Sequence, residues 1–299
     1  VRFSRHAEAR YFHTAGTAAQ RAEDFMAGVL DPDVAVIMPV FGGYNSNQLL
    51  ARLDYDAVAA AGKVLVGYSD TTALLLATST VAGSPAVHGP SFSVLCDPGL
   101  FDYSRQGLRA VLAGMAVTFR SPSHTASDRW FLKPGFGPRE LHPFSGFRVL
   151  REGEACAPII GGNLETLGAL AGTRFFPEIR GRILFVEDAS GINPGAFHRD
   201  LTRLALMGVF EHLAGLVIGA FPQGTPLADP TQLRAILDDV LPEHCPYPVL
   251  GDVTCSHIDP MVSIPLGRHA VLSAGDDPHL TVNLDADGRV PDDAVTVGP

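Results

Sequence analysis

Several features are scarce in this sequence, and each scarcity excludes a class of protein. The 299 residues include four cysteines and no CxxC pair, so neither a disulfide-rich secreted domain nor a cysteine-paired zinc motif is indicated. The net charge of −10 argues against a nucleic-acid polymer or an anionic membrane surface as partner. No apolar run is long enough to cross a bilayer, and no apolar signal-peptide core follows VRFSRHAEAR. We therefore expect a cytoplasmic protein whose partners include neither nucleic-acid polymers nor membranes.

One cysteine–histidine cluster leaves a zinc site open as an alternative. Cys245 follows His244, and ten residues later Cys255 is separated from His257 by a single residue. All four side chains can bind zinc, although their spacing matches no common zinc site. Buried thiols and an unrelated histidine are the other interpretation. We expect neither a metal nor an organic cofactor.

The sequence is rich in short apolar runs that alternate with helical patterns. Hydrophobic residues make up 46% of the chain and charged residues 18%, as in well-packed globular proteins. The main strand-like runs are VAVIMPV, KVLVGYS, GRILFVEDAS, LAGLVIGAF and PVLGDVT, followed late in the chain by HAVLSA and HLTVNL. Continuous apolar strands separated by helices predict a parallel sheet covered on both faces. We therefore predict an α/β fold, with a flavodoxin-like parallel-sheet domain at the N-terminus and a C-terminal α/β domain with extra β strands.

The chain changes character between residues 121 and 155. This stretch is rich in proline, glycine and serine, and it contains the only tryptophan, Trp130. A loop of this length is usually a linker or a functional lid, and we predict that it is both. The predicted units are an N-terminal α/β domain over 1–120, a linker and active-site loop over 121–155, and a C-terminal domain over 156–299.

A serine stands where a buried strand turns into a helix. In GYSD, Gly67 permits a tight bend, Ser69 lies at the turn and Asp70 begins the helical pattern. A helix N-terminus presents unpaired N–H groups, so the N–H of Asp70 can face the oxyanion that forms when Ser69 attacks a carbonyl. An ordinary helix cap, made by Ser69 or Asp70, is the alternative.

A serine nucleophile needs a base, and the base needs a group that orients it. Glu187 directly follows the apolar run ILFV, where a carboxylate requires a partner. His257 follows another strand-like run and can take the serine proton while Glu187 holds its other nitrogen. A loop histidine bonded to backbone and a glutamate paired with arginine are the alternatives.

Two glycines follow the apolar run VAVIMPV and let the backbone approach a ligand closely. The N–H of Gly43 can then complete an oxyanion hole with that of Asp70. The alternative is a simple strand-to-helix turn capped by Asn45 or Ser46.

Several long segments occur in one order: GGYNSNQLLARLDYD, GYSDTTAL, HGP, IIGGNLETLGALAGT, LFVEDAS and GDVTCSHIDPMVSIPLG. In amino-acid sequence and in order they resemble the motifs of the LD-carboxypeptidase family of serine peptidases, family S66, over residues 15–275. The resemblance implies an α/β N-terminal domain and a homodimer. It also implies a catalytic triad of Ser69, Glu187 and His257 and an oxyanion hole formed by the backbone amides of Gly43 and Asp70.

The family has two well-known branches with different substrates. One removes the terminal D-alanine of murein tetrapeptides, and the other, typified by microcin C immunity, cleaves the amide between an amino acid and a modified nucleotide. GGYNSN and GGNLETL are similar to the second branch, so the predicted substrate is a small molecule of that kind. A murein peptide, or binding of an aminoacyl nucleotide without turnover, is the alternative.

The resemblance also suggests which side chains contact substrate. Aromatic residues of the 121–155 loop can stack on a nucleobase, and we name Trp130 and Phe147, although Phe147 stands where that branch is expected to have tryptophan. Asn163 of GGNLET is a third candidate, with an N-cap of the following helix as the alternative. Family members open with a further strand before the region matching RFSRHAEA, and its genuine loss is expected to destabilise the site.

Overall fold

The computed structural model describes residues 1–299 and contains eight α-helices, fifteen β-strands and six short 3-10 helices. The α-helices are α1 (Ala18–Leu30), α2 (Tyr55–Ala61), α3 (Thr72–Thr80), α4 (Phe92–Leu95), α5 (Asp102–Leu112), α6 (Leu164–Ala169), α7 (Pro194–Leu206) and α8 (Pro230–Val240). The strands are β1 (Val36–Ile37), β2 (Val64–Gly67), β3 (Ala86–His88), β4 (Val117–Arg120), β5 (His124–Thr125), β6 (His142–Pro143), β7 (Arg148–Arg151), β8 (Gly153–Asn163), β9 (Ile183–Glu187), β10 (Gly215–Gly219), β11 (Val249–Val253), β12 (Ile264–Pro265), β13 (His269–Ala274), β14 (His279–Leu284) and β15 (Val295–Val297). The 3-10 helices are Ser46–Arg52, Ser69–Thr71, Trp130–Leu132, Pro134–Phe136, Val209–Glu211 and Pro226–Ala228.

A small sheet carries the serine. Its strand order is β1-β2-β3-β12, in which β1, β2 and β3 are parallel and β12 is antiparallel to β3. Helix α3 follows β2 and is buried along nearly its whole length, because its sequence is apolar on every side. The parallel sheet predicted for the N-terminal part is confirmed.

A larger sheet carries the glutamate. Its order is β15-β4-β14-β13-β8-β9-β10-β11-β7. The centre from β8 to β11 is parallel, the pairs flanking it are antiparallel, and the edge strand β15 is parallel to β4. Strands β9 and β10 are buried at every residue, as expected for continuous apolar runs covered on both faces. The predicted C-terminal α/β part with extra β strands is confirmed.

The two sheets share one hydrophobic core, which includes β2, α3, β9 and β10 side chains. Two strands belong to the sheet of the other predicted domain. Strand β4 lies in the predicted N-terminal domain but joins the larger sheet, and β12 lies in the predicted C-terminal domain but joins the smaller one. The domain boundaries at residues 120 and 155 stay a prediction.

The 121–155 segment is folded rather than an open linker. Strands β5 and β6 form a two-stranded sheet within it, and β7 pairs antiparallel with β11 at the edge of the larger sheet. The chain contains no helix with the length and apolar character needed to cross a membrane.

Candidate active site

Glu187 and His257 meet at the carboxyl ends of the parallel strands. Glu187 is the last residue of β9 and has no exposed surface, while His257 follows β11 and is 22% exposed at its side chain. The His257 Nδ1 lies 2.9 Å from the Glu187 Oε2. The edge where open parallel sheets bind ligands therefore carries a buried carboxylate–imidazole pair.

The pair is electrostatically coupled. Burial raises the pKa of Glu187, but the opposing influences, of which the charge and hydrogen bond of His257 are the largest, hold that pKa below its ordinary value. Burial alone lowers the pKa of His257, whereas Glu187, Asp188 and Asp259 raise it above its ordinary value. An ionised carboxylate can only accept, so Nδ1 of His257 donates and Nε2 is left free to act as a base.

Ser69 occupies a strained turn between β2 and α3. Its φ is +60°, a left-handed conformation that is uncommon for a residue with a side chain. The turn is the 3-10 helix Ser69–Thr71, and no side chain caps either this turn or α3. The helix-cap interpretation of Ser69 is therefore not observed, and strain of this kind is typical of functional sites.

Gly42 is the glycine of the predicted close-approach pair that lies against Ser69, whereas the sequence analysis gave a specific role only to Gly43. A Cβ atom added to Gly42 would lie 2.9 Å from the Ser69 Cβ and 3.0 Å from the Ser69 Oγ. The glycine at this position therefore lets the loop after β1 approach the serine. The double glycine was the available signal, but only the structure tells which of the two touches Ser69.

The carboxylate of Asp70 fixes the same loop. Its Oδ2 accepts from the Asn45 N–H at 2.8 Å, the Ser46 N–H at 2.9 Å and the Ser46 hydroxyl at 2.8 Å. The alternative in which Asn45 or Ser46 caps the helix Ser46–Arg52 is not observed, because neither side chain bonds the helix backbone and Asp70 takes that role. Asp70 thus holds the loop that carries Gly43.

Tyr68 packs against the imidazole of His257. The two ring centroids are 4.9 Å apart with an interplanar angle of 57°. Burial, together with the negative charges of Asp259 and Glu187, raises the pKa of Tyr68, so its hydroxyl stays protonated. Because Tyr68 directly precedes Ser69, this packing brings the serine turn next to the histidine. The sequence offered no separate signal for this role.

Asn163 lies beside the pair. It is opposite Glu187 in the register of β8 and β9, and it is buried. Its side-chain oxygen accepts from the N–H of Thr166 at 3.1 Å and from the Thr166 hydroxyl at 3.0 Å, so it caps α6. The cap anticipated as the alternative is present, and contact with substrate stays a prediction.

The aromatic residues of the 121–155 segment divide into buried and exposed ones. Trp130 is 8% exposed and Phe147 is 6% exposed, so neither presents a flat face to a ligand in this conformation. Phe131 and Phe136 are exposed and pack edge-on against Trp130. Phe131 also contacts Phe41, with ring centroids 6.0 Å apart. This contact links the segment to the loop after β1 that contains Gly42 and Gly43, called the glycine loop below.

A buried arginine fastens the segment to the histidine. Arg139 donates from Nε to Asp128 Oδ1 at 3.0 Å, from Nη2 to Asp259 Oδ2 at 2.9 Å and from Nη1 to Asp97. Burial lowers the pKa of Arg139, but Asp259 and the other two carboxylates raise it more, so its charge is retained. Asp259 lies two residues after His257, and this link was not predicted.

The cysteine–histidine cluster does not form a metal site. No group of three or more histidine, cysteine, aspartate or glutamate side chains is arranged to hold a metal ion. Cys255 is fully buried, and the Nδ1 of His257 faces Glu187. The ligand grouping that the zinc alternative requires is therefore not formed.

Two family models match the chain. The LD-carboxypeptidase N-terminal domain matches residues 1–89, and the LD-carboxypeptidase C-terminal domain matches residues 157–272. The first range contains Ser69, and the second contains Glu187 and His257. The two matches together cover more than half of the chain.

The chain is similar to proteins named as carboxypeptidases and to a microcin immunity protein. A Bacillus subtilis protein named "Putative carboxypeptidase YocD" is 34% identical over 248 residues, 83% of this chain and 75% of that protein. The microcin C7 self-immunity protein MccF of Escherichia coli is 33% identical over 264 residues, 86% of this chain and 76% of MccF. The murein tetrapeptide carboxypeptidase of Pseudomonas aeruginosa is 33% identical over 171 residues, 56% of this chain and 50% of that protein.

Solved structures share the fold. An MccF-like protein from Bacillus anthracis has a TM-score of 0.87 at 29% identity, covering 94% of this chain and 85% of that one. A mutant of MccF in complex with adenosine monophosphate has a TM-score of 0.85 at 30% identity, covering 93% and 84%. MccF in complex with glutamyl sulfamoyl guanosine has a TM-score of 0.82. On these matches, the chain belongs to the LD-carboxypeptidase family of serine peptidases, S66.

Proposed function

We propose that this serine hydrolase cleaves an amide bond through an acyl-serine intermediate, with Ser69, Glu187 and His257 as its catalytic triad. The observation that carries the proposal is the 2.9 Å hydrogen bond between the buried Glu187 and His257, beside the strained turn of Ser69. Family membership supports the reaction class, and the geometry supports the residue roles.

In the first step, His257 Nε2 takes the hydroxyl proton as the Ser69 Oγ bonds to the substrate carbonyl carbon. The carbonyl π electrons move to oxygen, and Glu187 stabilises the imidazolium that forms. The C–N bond then breaks, and the leaving nitrogen receives the proton from His257. Water, deprotonated by the same imidazole, then attacks the acyl carbon. The bond between that carbon and the Ser69 Oγ breaks, and His257 returns the proton to the serine oxygen.

The developing oxyanion needs preorganised donors, and the N–H groups of Gly43 and Asp70 are the proposed pair. Two contacts support them. The absence of a side chain at Gly42 allows the loop after β1 to lie against Ser69. The Asp70 carboxylate accepts three hydrogen bonds from Asn45 and Ser46 in the same loop. The loop therefore does not need to reorganise when charge forms on the substrate.

The proposed substrate is an amino acid joined by an amide-type bond to a modified nucleotide. Relatives in this family have been solved with adenosine monophosphate and with glutamyl sulfamoyl guanosine, which supports a nucleotide leaving group. The exposed rings of Phe131 and Phe136 supply aromatic faces suited to a nucleobase. We assign stacking to these two rings rather than to the buried Trp130 and Phe147.

A murein tetrapeptide is the second candidate substrate, favoured by the 33% identity to the murein tetrapeptide carboxypeptidase over 56% of the chain. The bond would then be the one that holds the terminal D-alanine. The homodimer and the cytoplasmic location stay predictions, and light scattering on a sizing column tests the dimer.

Product analysis by mass spectrometry tests the proposal. Glutamyl-sulfamoyl adenosine and an LD-tetrapeptide are each incubated with the wild type and with Ser69→Ala. Free glutamate from the first substrate, absent with the variant, is the expected result. Release of D-alanine instead would retain the triad and assign the murein substrate. Undiminished turnover by Ser69→Ala would contradict the mechanism, and tight binding without product would indicate a binding protein.

A further inference from the structure

A second buried histidine lies behind the candidate site and has no part in the proposed mechanism. His88 is the last residue of β3 and has no exposed surface. In the small sheet it is paired with Gly67 on one side and with Ile264 on the other. It therefore sits one strand away from the turn that carries the serine.

His88 contacts a near neighbour of each proposed triad residue. Its Nε2 lies 2.7 Å from the carbonyl oxygen of Cys255, two residues before His257. Its ring is 4.9 Å from that of Phe185, two residues before Glu187. Its ring is also 6.4 Å from that of Tyr68, which directly precedes Ser69 and packs on His257. One side chain thus joins the three segments on which the site is built.

The hydrogen bond fixes which ring nitrogen of His88 must carry a proton. A carbonyl oxygen only accepts, so Nε2 carries the proton and Nδ1 is a lone pair in the neutral ring. That Nδ1 is buried and has no hydrogen-bond partner among the protein's own atoms. Burial also lowers the pKa of His88, which outweighs the opposing influence of Glu187. A neutral ring here adds no positive charge beside the imidazolium that His257 becomes.

The unpaired Nδ1 argues against a purely space-filling role. A buried acceptor without a partner carries a desolvation penalty that an apolar side chain of similar shape would avoid. The hydrogen bond to Cys255 is the one contact for which the ring needs a polar atom. The imidazole is therefore better explained by its Nε2–H donor than by its volume.

We infer that His88 is a positioning residue whose Nε2–H holds the Cys255 carbonyl and so sets the location of the His257 ring against Ser69 and Glu187. This inference rests on the proposed function, in which His257 is the base. Because the hydrogen bond reaches His257 through the backbone, its loss displaces the imidazole without removing any group that touches substrate.

Three variants separate the donor from the volume. His88→Gln keeps an N–H that can reach the place of Nε2, His88→Asn carries an amide too short to reach it, and His88→Leu fills space without a donor. We expect the Leu and Asn variants to lower kcat by about 10- to 100-fold, the loss that a misplaced catalytic group produces. KM should change little, and His88→Gln should recover most of kcat.

A second readout requires no substrate. The proton between His257 Nδ1 and Glu187 should give a low-field resonance in the NMR spectrum, and the ring of His257 can be titrated by the same method. We expect the wild type and His88→Gln to retain the resonance and the raised pKa of His257. His88→Leu and His88→Asn should broaden the resonance and shift the titration.

The outcomes distinguish this inference from the proposed function. If the wild type hydrolyses neither substrate, the proposed function fails while the NMR comparison still tests His88. If the Leu and Asn variants match the wild type in kcat and in NMR, the inference is overturned. Equal losses in Gln and Leu would overturn it too, since the donor would then not matter. Should His88→Leu fail to fold, the comparison of Gln with Asn decides.

Discussion

Two buried charge clusters attach to the short segment from His257 to Asp259, and they differ in how fully their polar atoms are used. Glu187 meets His257 through a single hydrogen bond, its second oxygen has no hydrogen-bond partner, and the pair leaves Nε2 of His257 free. Arg139, in contrast, donates to three carboxylates at once, and its side chain is only 6% exposed.

The number of hydrogen bonds distinguishes His257, which can gain and lose a proton, from Arg139, which holds other residues in position. An imidazole with a free nitrogen can gain and lose a proton near neutral pH, whereas a guanidinium remains charged and needs all its partners. The two ends of this segment therefore differ: His257 keeps one ring nitrogen free to exchange a proton, whereas Asp259 attaches the segment to the 121–155 region through Arg139. Substitutions in the two clusters should therefore have different consequences.

The largest effect is expected from Glu187→Gln, which keeps the shape of the side chain but removes its charge. The His257 ring then loses its orienting acceptor, and kcat should fall about 1,000- to 10,000-fold, as for orienting acids in other serine hydrolases. Glu165→Gln, on the exposed face of α6, is the matched control and should retain activity. Steady-state kinetics provides the comparison.

The same variant makes a pH prediction. His257 must be neutral to act as base, and Glu187 raises its pKa above the ordinary value, so wild-type kcat/KM should rise with pH through that raised pKa. Removing the charge lowers the pKa of His257 and should move the acid limb of the residual activity to lower pH. An unshifted limb would contradict the coupling between the two groups.

Arg139→Leu should act on stability instead. It leaves the three carboxylates of Asp97, Asp128 and Asp259 without their shared cation, and breaking a buried pair in this way costs about 3–5 kcal/mol. Arg105→Leu removes an exposed pair with Asp102, 63% and 69% exposed, and should cost at most about 1 kcal/mol. Urea unfolding measures both, and equal losses would show that the buried cluster does not hold the loop.

A smaller effect is expected where the glycine loop touches the serine. In Gly42→Ala the new Cβ would lie 2.9 Å from the Ser69 Cβ, so the loop or the serine must shift. A displacement of this kind should lower kcat by about 100-fold with little change in stability. Gly275→Ala is the control, because no atom lies within 4 Å of its added Cβ. Similar kcat in both variants would remove Gly42 from the site.

The smallest effect is expected from substitutions in the 121–155 segment. Phe131→Ala removes an exposed ring and should raise KM for a nucleotide substrate by about 5- to 10-fold, which corresponds to about 1 kcal/mol, the lower end of what stacking on a base contributes. KM for a tetrapeptide should not change. Trp130→Ala removes a buried ring and should instead destabilise the segment, as measured by its susceptibility to proteolysis. If only Trp130→Ala raised KM for the nucleotide substrate, stacking on the base would be assigned to Trp130 instead of Phe131.

Much of the fold was predictable because its signals are local. The apolar runs ILFV and VLVG are continuous, and the structure places them in largely buried parallel strands as predicted. The placement of Ser69 and Glu187 at strand ends followed from the same pattern. The pairing of Glu187 with His257 was harder to predict, since 70 residues separate them in the chain, and the family motifs supplied it.

The remaining features depend on long-range pairing that spacing does not encode. Asp70 caps a helix that begins 24 residues earlier, although its own position suggested a cap for the helix that follows it. Arg139 meets Asp97 and Asp259 across 42 and 120 residues. The burial of Trp130 was equally invisible, because composition marks a loop but not which of its aromatic rings faces inward.

The central claim is that Ser69 is acylated with His257 and Glu187 as its base system. Rapid quenching during turnover, followed by intact-protein and peptide mass spectrometry, tests it most directly, with Glu187→Gln for comparison. We predict a mass increase equal to the acyl group, located on the peptide that contains Ser69 and formed far more slowly in the variant. An adduct on another residue, or equal rates of acylation in the two proteins, would contradict the account.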